Sequence, residues 1–521
     1  MAVGTMIELD TSGGTIDTSD NLNMFEGYQK VFIVNGANLK VADFINTKFS
    51  TADILPPTEG EHAAPQKGTI LTGGTSNATM IVDYCNAVNG AALVYGSVLT
   101  GTFDEAAEVL TGQNATGTVK AVSFTLDALP TVKPHWYDWT PMNNDTATYG
   151  TMPTKAYLGC LYRGRCVISG DPDHPQQWYM SRQANPWDFA YVANDAQSPV
   201  AGNNADAGEI GDIIRALIPY KDDFLIFGCA STMWMLRGDP ACGGSLDELD
   251  LTVGIYGAQS WCFDGASNLY FWGTGGIYRV PITNGSPGAL ENITQLALPD
   301  IVKDELVDPS LYRITLAYDR IRMGILVCIT LLSDGTNSNY WYDLRVEGFF
   351  PETYPEQCGA YSLYHYAATD SEYQDLLVGC KDGYIRKFDE TKKDDDIGPT
   401  DIAISSHVTL PIIKLGEDDI EGKLKSLTVV TAGGSAGGSF GDTDSVDYEY
   451  HVASDAETVL EYILDGATAK ESGTLSGTGK KSRIRKRVRG QYLGIKLENT
   501  NDTETWAIER ISGEIQPGGK E

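Results

Sequence analysis

Basic residues are scarce in this chain. Across 521 residues, 38 Lys and Arg stand against 70 Asp and Glu, for a net charge of −32. A protein that wraps tightly on DNA needs a basic face, so the balance argues against that class. It leaves room for a protein that DNA passes through, because an acidic wall repels phosphate. The same surplus also serves solubility. Paired cysteines are missing too. Nine are scattered, none in a Cys-x-x-Cys pair, and several lie in apolar runs such as LIFGC and GILVCIT. They read as buried free thiols of a chain folded in a reducing cytoplasm. No apolar run approaches the roughly 20 residues of a membrane helix. The start, MAVGTMIELD, has neither the basic nor the apolar region of a secretory signal. With six histidines and no Gly-x-Ser-x-Gly, a hydrolase triad has no local support. Long Ala/Leu/Glu/Lys stretches, which build helices, are absent as well.

Glycine is abundant, at 56 residues, and there are 27 tyrosines. That composition favours short strands and many turns. One pattern recurs: an apolar run, a turn, then a strand with an aromatic. The copies are KVFIVNGANLKVADF from Lys30, RCVISGDPDHPQQWYMSR from Arg165, DFLIFGCASTMWMLRG from Asp223, NLYFWGTGGIYRVPI from Asn268, GILVCITLLSDGTNSNYWYDLRV from Gly324 and DLLVGCKDGYIRKFDE from Asp375. Each predicts a hairpin whose first strand is buried on both faces. After the first gap the copies recur at about the length of a four-stranded propeller blade. The expected fold is therefore all-β: a β-propeller of about six blades over Met24–Phe49 and Thr154–Ile412. Trp178, Trp187, Trp234, Trp272 and Trp341 are expected to pack the blades.

The gap between the first two copies predicts an inserted Gly/Thr-rich β-module over residues 50–153, after an N-terminal segment, 1–49, with the first propeller strands. Within the insert, AALVYGSVLTGTF reads as two strands. The propeller body is expected over 154–413 and a C-terminal β-sandwich or platform over 414–521. In that last part LKSLTVVTA, VDYEYHV, YLGIKLEN and WAIERISGEI alternate as strands. TVLEYILDG follows a Ser454-x-x-Glu457 capping pattern, but the alternation of Leu460, Tyr462 and Leu464 favours a strand there too.

Few residues suggest chemistry. His174, between Asp171, Asp173 and two prolines, lacks the ligand set of a transition metal and reads as part of a stiff turn. GTGKKS fails the phosphate-loop spacing, since Thr474 stands where the first glycine belongs. Lys392-Lys393-Asp394-Asp395-Asp396 lacks the alternation of a calcium loop and reads as a solvated loop. SDGTNSNYW has the wrong register for a sialidase Asp-box; an Asp-Gly turn explains it. No catalytic residue, cofactor site or metal site is assigned. The one strong basic feature is KKSRIRKRVR, carrying Lys480, Lys481, Arg483, Arg485, Lys486, Arg487 and Arg489. It reads either as a strand with basic outward positions or as an electrostatic contact, and in an acidic chain self-assembly by charge complementarity suits it better than nucleic acid.

Several segments together resemble a family. RCVISGDPDHPQQWYMSRQANPWDF holds a "W/Y-x-S-R" element at Tyr179–Arg182 and a "P-W-D-F" element at Pro186–Phe189. LIFGCASTMWMLRG and NLYFWGTGGIYRV follow, and NYWYDLRVEGFFP looks like a "Y-D-x-x-x-x-G-W" blade end, with Phe349 in place of the usual Trp. These segments, with the closing RGQYLGIKLENTNDTETWAIERISGEI, are similar to tail hub or nozzle proteins of short-tailed double-stranded DNA bacteriophages. The resemblance covers about two thirds of the chain and carries no catalytic signature. It implies a structural virion protein, made in the host cytoplasm. It implies a homo-hexameric ring below portal and adaptor, meeting the adaptor and fibre, spike or needle proteins, with genomic DNA passing through unread. Two other readings stay open. One is a carbohydrate- or receptor-binding propeller that uses the aromatics Trp136, Trp139 and Trp187. The other is a propeller glycosidase or lyase.

Overall fold

The computed structural model describes residues 13–18, 21–54, 64–88, 90–104, 106–114, 121–131, 134–191, 195–204, 207–305, 307–389, 392–398, 401–416, 420–433, 443–476 and 481–518. The chain is almost all β and divides into two compact units. One runs to Ile329 and includes Tyr340–Phe350; the other is Thr330–Asn339 with Pro351–Glu521.

The first unit is built from antiparallel sheets whose strands follow chain order. The first sheet is Asn23–Gly27, Lys30–Val34, Leu39–Asp43 and His135–Asp138. The second is Leu158–Tyr162, Arg165–Asp171, His174–Met180 and Val200–Ala201. The third is Ile214–Tyr220, Phe224–Cys229, Met233–Arg237 and Ser245–Asp250. The fourth is Trp261–Phe263, Leu269–Gly273, Gly276–Val280 and Glu291–Asn292. The fifth is Tyr312–Asp319, Gly324–Leu331, Asn337–Asp343 and Gly348–Glu352. Each expected hairpin is the second and third strand of one such sheet. The sixth hairpin belongs to a three-stranded sheet of the second unit: Ala360–His365, Leu376–Cys380 and Ile385–Lys387. Leu39–Asp43 and Ile385–Lys387 hold no aromatic; Phe44 and Tyr384 lie just outside them.

Alternate residues explain why second strands read as continuous apolar runs. In the third sheet, Leu225, Phe227 and Leu236 face a core shared with Leu158, Val167 and Trp178 of the second sheet. Their neighbours Phe224, Ile226 and Met235 face a core shared with Leu269, Phe271 and Val280 of the fourth. Fourth and fifth sheets share another core through Tyr270, Trp272, Ile314 and Val327. Sheets stacked in sequence, each buried on both faces, make the β-propeller. The starts of the first strands converge as a propeller's inner strands must. Asn23, Leu158, Ile214 and Tyr312, which open the first strands of four of these sheets, line one cavity together with Gln259, which lies two residues ahead of the fourth sheet's first strand.

Between Leu39–Asp43 and His135–Asp138 the chain makes a closed six-stranded barrel. Its strand order is Thr47–Ile54, Gly90–Thr100, Thr79–Val88, Ile70–Gly73, Val109–Gln113, Ala121–Thr131, the last pairing with the first. The barrel ends at Thr131, whereas the expected insert ran to 153. The segment AALVYGSVLTGTF is one long strand and a loop, a correction to the two strands expected. Gly96 is no turn. A Cβ there would stand 2.3 Å from the Ile81 carbonyl oxygen, so glycine lets the neighbouring strand approach.

The second unit ends in a sandwich. One sheet has Ser406–Thr409 and Ile413–Lys414, Tyr492–Asn499, Ser445–Ala453 and Glu471–Ser476; the other sets Gly422–Thr431 between Ile508–Gln516 and the pair Lys481–Ile484 and Val488–Gly490. Pairing of Ser406–Thr409 with Tyr492–Asn499 starts this domain before the expected residue 414. TVLEYILDG is a helix, Ala456–Leu464, and corrects the strand reading. Asp455 caps it by accepting from the Thr458 amide, and Val459 and Ile463 are its buried residues. Both side chains seat over Gly494, where a Cβ would meet them at 2.6 and 2.7 Å.

Phe227 tests the stacking. Its ring lies 5.6 Å from that of Trp178 across the core of the second and third sheets. Phe227→Ala is expected to cost about 3–5 kcal/mol in denaturant unfolding. A loss below about 1 kcal/mol would mean that the two faces do not pack as described.

Candidate interaction surface

The stretch from Arg165 to Phe189 is a structural latch, buried at its two ends, with the turn at Pro172, Asp173 and His174 exposed. Arg165 is fully buried. Its guanidinium donates to the carbonyls of Ser181 (3.1 Å), Ala196 (3.2 Å), Gln197 (3.2 Å) and Ser198 (2.7 Å), and pairs with Asp239 at 3.1 Å. Ser181 Oγ accepts from the Cys166 amide, and Arg182 pairs with Asp195 at 2.8 Å. Trp187 stacks on Tyr84 of the barrel at 4.2 Å, and Trp139 Nε1 donates to the Pro186 carbonyl at 2.9 Å. The motif residues thus tie barrel, first sheet and second sheet together.

An ion network reinforces that seam. Lys30 Nζ lies 2.7 Å from Asp83 and 3.9 Å from Asp43, and Lys67 also pairs with Asp83. Asn46 donates to both carboxylates, and the Tyr137 hydroxyl donates to Asp43. Burial pushes the Asp83 carboxyl up, but the ammonium groups of Lys67 and Lys30 outweigh it and hold it at about 2, against an ordinary 3.8.

The expected blade-packing tryptophans divide. Trp178, Trp187, Trp272 and Trp341 are buried, and Trp234 is half-buried, its Nε1 on Thr232. Trp187 packs the barrel seam. The aromatics expected to bind sugar are not free platforms. Trp139 and Trp187 are buried in the core, and Trp136 donates to the Gly14 carbonyl. His174 opens a strand and is exposed; no group of three His, Cys, Asp or Glu side chains gathers to hold a metal among the described residues.

The basic run builds a surface. Lys480 lies outside the described residues. Lys481 and Arg483 stand on Lys481–Ile484, Arg489 on Val488–Gly490, and Arg485, Lys486 and Arg487 on the loop between; all six are exposed. The registers Lys481↔Val430↔Arg510, Arg483↔Thr428↔Ser512 and Arg489↔Lys423↔Gln516 align them across the sheet. Ile484 and Val488 point inward to the sandwich core. Lys423, Lys425 and Arg510 thereby join Lys481, Arg483 and Arg489 on one outer face. These three were missed in the sequence, although period-two alternation in GKLKSLTVVT places both lysines outward. Glu514 takes Arg483 at 3.0 Å and Lys425 at 3.7 Å, and Glu471 takes Lys486 at 2.9 Å. Exposed pairs of this kind add little stability, so the face remains available to a partner.

No protein-family model matches the chain, and no curated protein matches it. Among solved structures it is similar to the extracellular domain of a Bacteroides thetaiotaomicron protein described as a hybrid two-component system. Identity there is 11% and the TM-score 0.20, over 72% of this chain and 51% of that one; the chain spans about half that length. A Lactobacillus plantarum protein matches at 9% identity and TM-score 0.27, over 66% and 96%. A Bacteroides fragilis protein described as exported matches at 9% and 0.25, over 64% and 84%. Likeness at this level carries no functional argument.

Two predictions test the seam. Arg165→Met leaves four carbonyls and Asp239 without their donor, and is expected to destabilise by about 3–5 kcal/mol; an unchanged melting temperature would contradict it. The depressed Asp83 carboxyl stabilises the fold fully above about pH 4, and that share, about 2 kcal/mol, is lost as pH falls toward 2. Melting curves against pH should therefore show a shallower acid limb for Asp83→Asn. Identical limbs would remove Asp83 from acid stability.

Proposed function

We propose that this chain is a structural virion protein, a tail nozzle or hub of a short-tailed double-stranded DNA bacteriophage. Copies close into a ring, six in the arrangement that the resemblance implies, and enclose part of the channel through which DNA leaves. The tail adaptor and the fibre, spike or needle proteins are its neighbours.

The observation that carries this reading is the basic sheet face on a chain of net charge −32. A ring needs a heterologous interface, two different patches that fit each other. One basic face and an acidic remainder supply opposite signs on one molecule. The acidic remainder also suits a wall past which DNA slides without adhering. The motif residues of the resemblance support it further, since Ser181, Pro186, Trp187 and Phe189 are buried and serve architecture.

Mass measurement by light scattering tests the ring. An oligomer is expected at low ionic strength, falling toward the 56.4 kDa single chain at about 1 M salt, where the screening length is about 3 Å. The triple variant Lys481→Glu, Arg483→Glu, Arg489→Glu should remain a single chain at low salt. An oligomer unchanged in both experiments would refute an electrostatic ring interface.

A further inference from the structure

The axial cavity of the first unit carries chemistry that the ring does not use. It measures about 370 Å³, within the roughly 300–1,000 Å³ of small-molecule sites. Arg215 and Arg313 line it from equivalent places, the second residues of the first strands of the third and fifth sheets. Tyr256 and Tyr312 add aromatic rings, and the Tyr256 hydroxyl is bonded to the Tyr312 carbonyl at 3.1 Å. Burial and the Asp308 carboxylate push the Tyr256 phenol up, and the Arg215 guanidinium pulls it back. Among the described residues Arg215 has no carboxylate within ion-pair distance. Gln259 also lines the cavity, and its buried side-chain oxygen has no hydrogen-bond partner. Asp171 supplies a carboxylate at the same wall. The remaining lining is largely apolar.

Each feature asks something of a ligand. A guanidinium fork matches a planar carboxylate. A buried Gln oxygen needs a donor, which a hydroxyl group supplies; Asp171 already accepts from the Asp173 amide at 3.1 Å and the Tyr179 hydroxyl at 3.4 Å. Tyrosine rings and apolar walls suit the apolar face of a pyranose. Arg215 is a single guanidinium with no carboxylate in ion-pair distance among the described residues, and it matches one carboxylate. We infer that the axial cavity binds a hexuronate-type sugar, a pyranose ring bearing one carboxylate, with Arg215 holding the carboxylate and Gln259 accepting from a hydroxyl.

Ligand-observed NMR and calorimetry on the full chain test this with glucuronate, glucose and inorganic phosphate as probes. Glucuronate is expected to bind saturably, and glucose and phosphate to bind at least about tenfold more weakly. Arg215→Gln and Gln259→Leu should each weaken glucuronate by about tenfold or more, with melting temperatures showing that both variants fold. Absence of glucuronate binding at millimolar concentration would overturn the proposal. So would glucose or phosphate binding as well as glucuronate, or glucuronate binding equally to both folded variants. None of these results bears on ring formation, which is read separately by mass.

Discussion

A strand that is apolar on both faces cannot be satisfied within its own hairpin. The rest of the first unit follows from that constraint. Phe224–Cys229 and Gly324–Ile329 are buried at every position, so each sheet needs a neighbour on either side. Stacking in sequence meets the need and brings the first strands to a common axis. The barrel does not disturb this order. It leaves the first sheet after its third strand and returns to supply the fourth, and Trp187, Tyr84 and Tyr137 seal the seam by ring contact.

Much of this was legible because burial on both faces leaves continuous apolar runs. All six hairpins stand where those runs placed them. Legibility failed where one pattern served two geometries. In TVLEYILDG the alternation of Leu460, Tyr462 and Leu464 belongs to exposed side chains, while the buried pair, Val459 and Ile463, has helical spacing. AALVYGSVLTGTF reads as two strands because the close approach of a second strand at Gly96 leaves no mark in a single segment. The basic run was visible, but Lys423, Lys425 and Arg510 joined it only through pairing between distant strands. The axial arginines were hidden in the same way: IRALIPY and YRITLAYD carry Arg at the same strand position, yet only convergence brings them to one cavity.

The two charge features have different tasks. Lys481, Arg483 and Arg489 on the outer sandwich sheet are exposed, and in the proposed ring they would govern encounter and register between chains, subject to screening by salt. Arg165 and the Lys30–Asp83 network are buried and satisfied, and hold the fold. An acidic chain can keep most of its surface repulsive and still assemble, provided that one face has the opposite sign.

The most direct measurement is cryo-electron microscopy of tail-bearing particles that contain this chain. A ring of its density around an open axial channel is expected, with the Lys481–Arg489 face set against an acidic surface of the next copy. Density confined to the tail periphery as isolated copies, or a ring whose basic face points into the channel, would contradict it.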